Sequence, residues 1–265
     1  MSPLWHERVL VGFSPQGISA LCLGGLLRPR LLDRHAILLQ NQDLAQWDKG
    51  VDALEALLAE PAWKGRDIDV ILSGHYVRHV VFPSRRDLAE VEQATLAKVV
   101  FRDIFGDLAN DWELRVSPLP TGMKTLACGV PRSLLAALRT VCNGRGRLRS
   151  IQPGLMPVFN QVRRQVQDSV GCLAWVERGR ITLAFFENGQ WMYVDSRAGD
   201  GNSLPVLLLE ESELSARQPG GILWLCDQTQ AARLPDGSFW SHRRVEPPRL
   251  PGFDELSSLA IWGVV

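Results

Sequence analysis

The chain has 265 residues, 46% of them hydrophobic and 22% charged, enough to bury one large or two small cores and too apolar for a largely disordered protein. Its 29 Lys and Arg balance its 29 Asp and Glu, so it lacks the basic footprint of a nucleic-acid binder. No run approaches the ~20 apolar residues that span a bilayer, and the opening MSPLWHERVLVGF lacks the basic-then-apolar order of a secretory leader, which points to a cytoplasmic protein with no membrane insertion of its own.

The first expected element is a hairpin. VLVGF (9–13) and GISALCL (17–23) flank Pro15-Gln16-Gly17, where Pro fixes φ and Gly admits positive φ. A third strand is read over HAILLQ (35–40), then a helix around 47–60 whose Trp47, Val51, Leu54 and Leu58 form a narrow apolar stripe. Pro61 and Gly65 break the chain before DIDVILS (67–73), a continuous apolar run typical of a buried strand. Residues 76–82 read as a strand. The helix expected over about 87–105 has Leu88, Val91, Thr95 and Val99 on one face and ends at Gly106. Strands near 112–117 and 124–130 follow, then a helix over about 131–142 with Leu134, Leu135, Leu138 and Val141 inward, and a strand over 147–151. A helix after Pro153 carries Leu155, Val158, Phe159, Val162 and Val166.

Strands SVGCLAWV (169–176), RITLAFF (180–186) and QWMYVDS (190–196) come next, with a strong hairpin turn at Asn188-Gly189 and a weaker one at Arg178-Gly179. A helix over about 203–216 and the strand GILWLC (221–226) complete the set, and a Pro- and Gly-rich stretch leads to a closing element over 256–265. The order strand, strand, strand, helix, strand therefore occurs twice. Such a repeat implies two similar halves, and clefts between halves of α/β proteins commonly bind ligands.

Several polar clusters invite a chemical reading. Ser73, Gly74 and His75 with Arg78 and His79 could pair a nucleophile with a base, yet the surrounding G-x-S-x-G elbow is missing, and a structural or partner-facing strand is favoured. Asp195, Arg197, Asp200 and Gly201 could suggest metal or phosphate contact, but suit a loop that caps the following helix. Asn143–Arg149 and His242-Arg243-Arg244 are short basic runs, read as solvated connections. Cys22, Cys128, Cys142, Cys172 and Cys226 never stand in CxxC spacing and mostly lie in apolar runs, so they read as buried reduced thiols, with no metal site. Most of the nine tryptophans read as core, whereas Trp5, Trp240 and Trp262, near the ends, are candidates for an exposed partner anchor.

Two hairpin-led repeats form the skeleton of the actin-like, hexokinase-like ATPase superfamily. VILSGHYVRHVVFP (70–83), WELRVSP (112–118) and the closing SSLAIWGVV (257–265) resemble the corresponding stretches of bacterial pilus and type II secretion assembly proteins, the PilM-type proteins and the cytoplasmic part of GspL-type proteins. The resemblance implies an α/β fold of two actin-like (ribonuclease H-like) lobes, each a mixed sheet flanked by helices. It places the first lobe at 1–150, with an inserted subdomain at about 76–150, and the second at 151–265. It further implies a position at the inner membrane held through partners: the cytoplasmic tail of a bitopic inner-membrane protein and, in some relatives, the assembly ATPase. The inserted subdomain, or a groove beside it, within roughly 76–150, would dock them.

Active members of the superfamily carry Asp-x-Gly in the first hairpin of each lobe, because carboxylates hold Mg²⁺ and Gly lets backbone N–H groups approach the phosphates. Here Gly12 stands where the first acid is expected and Ser14 where its glycine is, with Gly17 after the turn. The second acid falls at Trp175, and Glu177 lies two residues late. The resemblance with these departures implies vestigial cleft positions, no catalytic residues and no bound cofactor or metal, hence a scaffold. Two alternatives stand beside it: a nucleotide-dependent enzyme, an ATPase or kinase, using divergent acids such as Glu177 or Asp195, and a module sensing another small ligand.

Overall fold

The computed structural model describes residues 7–25, 29–39, 46–83, 88–117, 124–167, 169–214, 221–229, 232, 240–250 and 259–264. In chain order the strands and helices are β1 (Arg8–Ser14), β2 (Gly17–Gly24), β3 (Arg30–Leu38), α1 (Asp48–Ala59), β4 (Asp67–Leu72), β5 (Arg78–Pro83), α2 (Glu90–Phe105), β6 (Trp112–Val116), β7 (Lys124–Pro131) and α3 (Arg132–Arg145). They continue as β8 (Arg147–Pro153), α4 (Leu155–Val162), β9 (Val170–Glu177), β10 (Arg180–Glu187), β11 (Gln190–Ala198), α5 (Leu204–Leu214), β12 (Gly221–Asp227) and β13 (Trp240–Arg244). Short 3-10 helices cover Gly106–Asp111 and Leu259–Gly263.

The chain divides into two compact units, one of residues 1–77, 131–157 and 247–265, the other of 78–130 and 158–246. The first holds a five-stranded sheet in the order β3-β2-β1-β4-β8, the second one in the order β11-β10-β9-β12-β13. In each, the first three strands form an antiparallel meander and the helix crosses over to a strand parallel to the first. The repeated order in the sequence is therefore a repeated sheet, the architecture of two actin-like lobes.

These units run differently from the expected division at residue 150, for three reasons. β8 joins the first sheet through a parallel ladder with β4. The closing 3-10 helix packs on β1, β2 and β4. Strands β5, β7 and β6 form a small sheet whose β5 lies along β11, where Lys124 Nζ donates to the Met192 carbonyl at 3.1 Å.

In the first unit β1, β2 and β4 are almost wholly buried, and α1 covers one face with Val51, Leu54, Leu57 and Leu58. α3 packs beside α1 through the expected Leu134, Leu135, Leu138 and Val141. In the second, Cys172, Ala174 and Val176 of β9 pack with Leu204 and Leu208 of α5 and Leu223 and Leu225 of β12. Asn188 and Gly189, both at positive φ, make the tight turn between β10 and β11.

α2 packs through a different side from the one its sequence spacing marks. Its N-terminus is closed by Glu92, whose carboxylate accepts the Ala89 N–H at 2.7 Å, and Gly106 ends it at φ +64°. Its packed residues are Ala97 and Phe101, with Leu96, Val100 and Phe105 half-buried, and Phe101 meets Trp112 edge-on. Val91, Thr95 and Val99 lie on the exposed side. Both sides carry apolar residues, and the rings of Phe101, Phe105 and Trp112 decide which is covered.

Other differences are local. β3 begins at Arg30, five residues before the apolar run suggested, and β13 occupies the basic stretch read as a connection. α4 stops at Val162, although Val166 is still buried. Trp262 is buried rather than an exposed anchor, Trp240 is half-buried against the second core, and Trp5 lies outside the described residues. All five cysteines are free thiols, and burial pushes Cys128 up to about 11 and Cys142 up to about 12.

Candidate functional site

The hairpin at residues 8–24 is held by its own turn. Ser14 Oγ donates to the Gly17 carbonyl at 2.9 Å, and a Cβ at Gly17 would stand 2.2 Å from the Ile37 carbonyl oxygen, so that rung admits only glycine. Ser14 is therefore engaged in closing the turn.

Gly12 pairs with Ser19 across β1 and β2, and the face it presents is occupied. A Cβ built there would lie 2.5 Å from Ser19 Oγ, 2.6 Å from the Ala260 nitrogen and 2.7 Å from Leu259 Cβ. The Ala260 N–H donates to Ser19 Oγ at 3.3 Å, joining residues 241 positions apart. Residues Leu259–Gly263 are buried, and Gly263 packs against Leu10 and Ile71 closely enough that a Cβ would touch both. The closing 3-10 helix thus fills the volume that any side chain at position 12 would need. A carboxylate side chain there would meet Leu259 and Ala260.

The second hairpin repeats the geometry with different chemistry. Trp175 pairs with Thr182 as Gly12 pairs with Ser19, and Glu177 pairs with Arg180 as Ser14 pairs with Gly17. Trp175 and Gly12 are equivalent positions, and Glu177 stands on the rung of Ser14. Trp175 is fully buried, with its indole nitrogen unpartnered. Glu177 is buried too, and its charge favours the Arg180 guanidinium, which burial otherwise disfavours. Arg180 donates through Nη1 to Ser196 Oγ at 3.1 Å, and Ser196 shares a hydrogen bond with Thr182 at 3.0 Å. The acid of this hairpin is therefore embedded beside an arginine rather than standing where Trp175 is.

The remaining clusters resolve into structural duties. Ser73 extends β4 by donating its N–H to the Phe13 carbonyl at 2.9 Å, and its hydroxyl accepts the backbone N–H of His75 at 3.3 Å, so this stretch is a buried turn rather than a strand. Ser73, Gly74 and His75 belong to the first unit, whereas Arg78 and His79 open the second. His79 is buried with both ring nitrogens unpartnered, and burial, with the Arg78 charge adding, pushes its pKa down to about 4.

Asp195 accepts Arg197 Nε at 2.5 Å, and Arg197 also reaches Glu210 at 2.8 Å. Asp200 Oδ1 accepts the Asn202 N–H at 2.9 Å and Ser203 N–H at 3.3 Å, the helix-capping duty expected of this loop. In the basic run, Arg145 bridges to Glu55 at 3.1 Å and Arg147 makes a two-pronged pair with Asp67. The occlusion of Gly12 by the closing helix was not legible in the sequence; the one hint was the apolar run LAIW itself.

No family model matches the sequence, and no curated protein matches it. Solved structures do match, and they carry the actin-like fold. At 13% identity and a TM-score of 0.61, the cytoplasmic domain of EpsL, an inner-membrane component of the type II secretion system of Vibrio cholerae, aligns over 97% of this chain and 94% of its own. PilM, in a PilM–PilN type IV pilus biogenesis complex, aligns over 89% and 88% at 11% identity and a TM-score of 0.62. An actin-like ATPase-fold protein of unknown function from Bacteroides thetaiotaomicron aligns over 85% and 84% at 15% identity and a TM-score of 0.58.

Proposed function

We propose that this chain is a non-catalytic actin-like scaffold of a type II secretion or type IV pilus-like assembly platform, positioned at the inner membrane by the cytoplasmic tail of a bitopic membrane protein. The observation that carries the reading is the filled seat at Gly12: hydrolysis in this fold requires a Mg²⁺-holding carboxylate there, and Leu259 and Ala260 occupy its volume. Trp175 at the equivalent rung of the second hairpin supports the same conclusion. So does the likeness to EpsL and PilM over nearly the whole chain. No helix among the described residues is long and apolar enough to cross a membrane, which fits attachment through a partner.

The docking surface we assign to elements within roughly 76–150, where Val91 and Val99 stand one above the other on the uncovered side of α2. Isolated apolar residues on a surface need no explanation, but two aligned on the uncovered side of one helix suit an amphipathic tail. The test is titration of the purified chain with synthetic peptides of the cytoplasmic tails of the bitopic assembly proteins of the same cell. Micromolar binding that Val91→Asp with Val99→Asp weakens at least tenfold is expected. Absence of binding by every tail, or binding indifferent to that double variant, overturns the assignment.

A further inference from the structure

The basic run His242-Arg243-Arg244 lies on an open sheet edge. β13 stands last in the order β11-β10-β9-β12-β13 and pairs with β12 in a parallel ladder without a bulge. Ser241, His242, Arg243 and Arg244 are all exposed. The ladder fixes which backbone groups are taken. Val245 donates its N–H to the Leu225 carbonyl at 2.8 Å, so Ser241, Arg243 and Val245 turn N–H and C=O toward β12. His242 and Arg244 turn theirs outward, and no hydrogen bond among the described residues takes them up. Pro247 and Pro248, which lack an N–H, end the run of outward donors. Trp240 packs edge-on against Phe185 and ties the strand to the second core. His242 and Arg244 share its face of the sheet, and Arg243 stands on the other.

We propose that the outer edge of β13 takes up an extended acidic segment of a partner protein as a further strand of this sheet. Strand addition to an exposed edge draws affinity from main-chain hydrogen bonds, and side chains select what adds. Here the selection is by charge. Arg145, Arg147 and Arg197 each have a carboxylate partner in the structure, whereas Arg243 and Arg244 make no ion pair among the described residues. With His242 and Arg244 on one face and Arg243 on the other, carboxylates of an added strand meet a basic residue on either face. The chain carries 29 basic and 29 acidic residues, so this attraction is local to the edge. The same charges disfavour a second copy of the chain: an antiparallel pairing centred at Arg243 or Arg244 sets arginine against arginine. What α2 binds does not enter this reasoning.

The test is fluorescence anisotropy of a labelled peptide alternating Glu with Val, long enough to run the length of β13, titrated with the full chain to about a millimolar. Saturable binding that weakens as salt is raised is expected, with a peptide alternating Lys with Val binding at least tenfold more weakly. Arg243→Glu with Arg244→Glu weakens the acidic peptide at least tenfold and leaves the unfolding midpoint unchanged, because both side chains are exposed. Arg244→Ala, with binding reduced several-fold, decides the matter if that double variant folds poorly. Backbone N-methylation of the acidic peptide abolishes binding, which separates strand pairing from attraction between charges alone. No saturable binding, or equal binding of the Lys peptide or the N-methylated peptide, overturns the proposal. So does sedimentation showing a wild-type dimer that Arg244→Ala alters, which would give this edge to a second copy.

Discussion

Restoring the missing acid, by Gly12→Asp, should damage the protein instead of reviving a nucleotide site. The new Cβ meets the Ala260 backbone nitrogen at 2.6 Å and Leu259 Cβ at 2.7 Å, neither of which is the free end of a flexible side chain. Overpacking of this kind costs about 1–3 kcal/mol. A carboxylate placed among buried neighbours adds about 2 kcal/mol or more. The expected loss is about 4 kcal/mol, or roughly 10 °C in the midpoint of a chain this size. Differential scanning fluorimetry with and without ATP and Mg²⁺ measures both quantities, and Gly12→Ala isolates the steric part at about 1–3 kcal/mol. A Gly12→Asp protein that melts within about 2 °C of wild type, or gains stability from ATP with Mg²⁺, would refute the claim that the closing helix fills this seat.

Three further outcomes are expected. His79 is neutral in the folded protein, with a pKa near 4 against the ordinary 6.5, so the unfolded chain takes up its proton first. Stability should fall as pH drops from about 6.5 toward 4, by about 3 kcal/mol from this group, and urea unfolding of His79→Leu should lack that component; parallel pH profiles would refute it. Phe101→Ala, in the core of α2, β5 and β7, should cost about 3–5 kcal/mol, whereas Val91→Asp on the exposed side should stay within about 0.5 kcal/mol; chemical denaturation showing the reverse would put the packed face on the side of Val91. The cysteines, buried or held well above their ordinary pKa, should resist a thiol reagent at pH 7.5 until the protein is unfolded, and rapid labelling of the native chain would contradict their packing.

The sequence showed the repeat because its strands are buried on both faces, and continuous apolar runs such as VLVGF, VGCLAWV and ITLAFF between turn residues admit few other readings. It showed the packed side of α3 because the apolar residues there lie on one side only. The edges were hidden for the converse reason: β3 and β13 bury so little that Arg30–Arg34 and Ser241–Arg244 look like connecting chain. α2 misled because both its sides carry apolar residues, so the period alone does not choose between them. The divergence of Gly12 and Trp175 from an acidic pattern was visible residue by residue. What occupies the place of the first acid was not, since Ala260 and Ser19 meet only through the return of a distant segment to β1.

Isothermal titration of the wild-type chain with ATP and Mg²⁺ up to about a millimolar, a concentration that reports even weak affinities, is the direct test of the proposal that the first hairpin takes no metal-bound nucleotide. No saturable binding heat is the predicted result. Saturable binding that disappears when Mg²⁺ is withheld would contradict it.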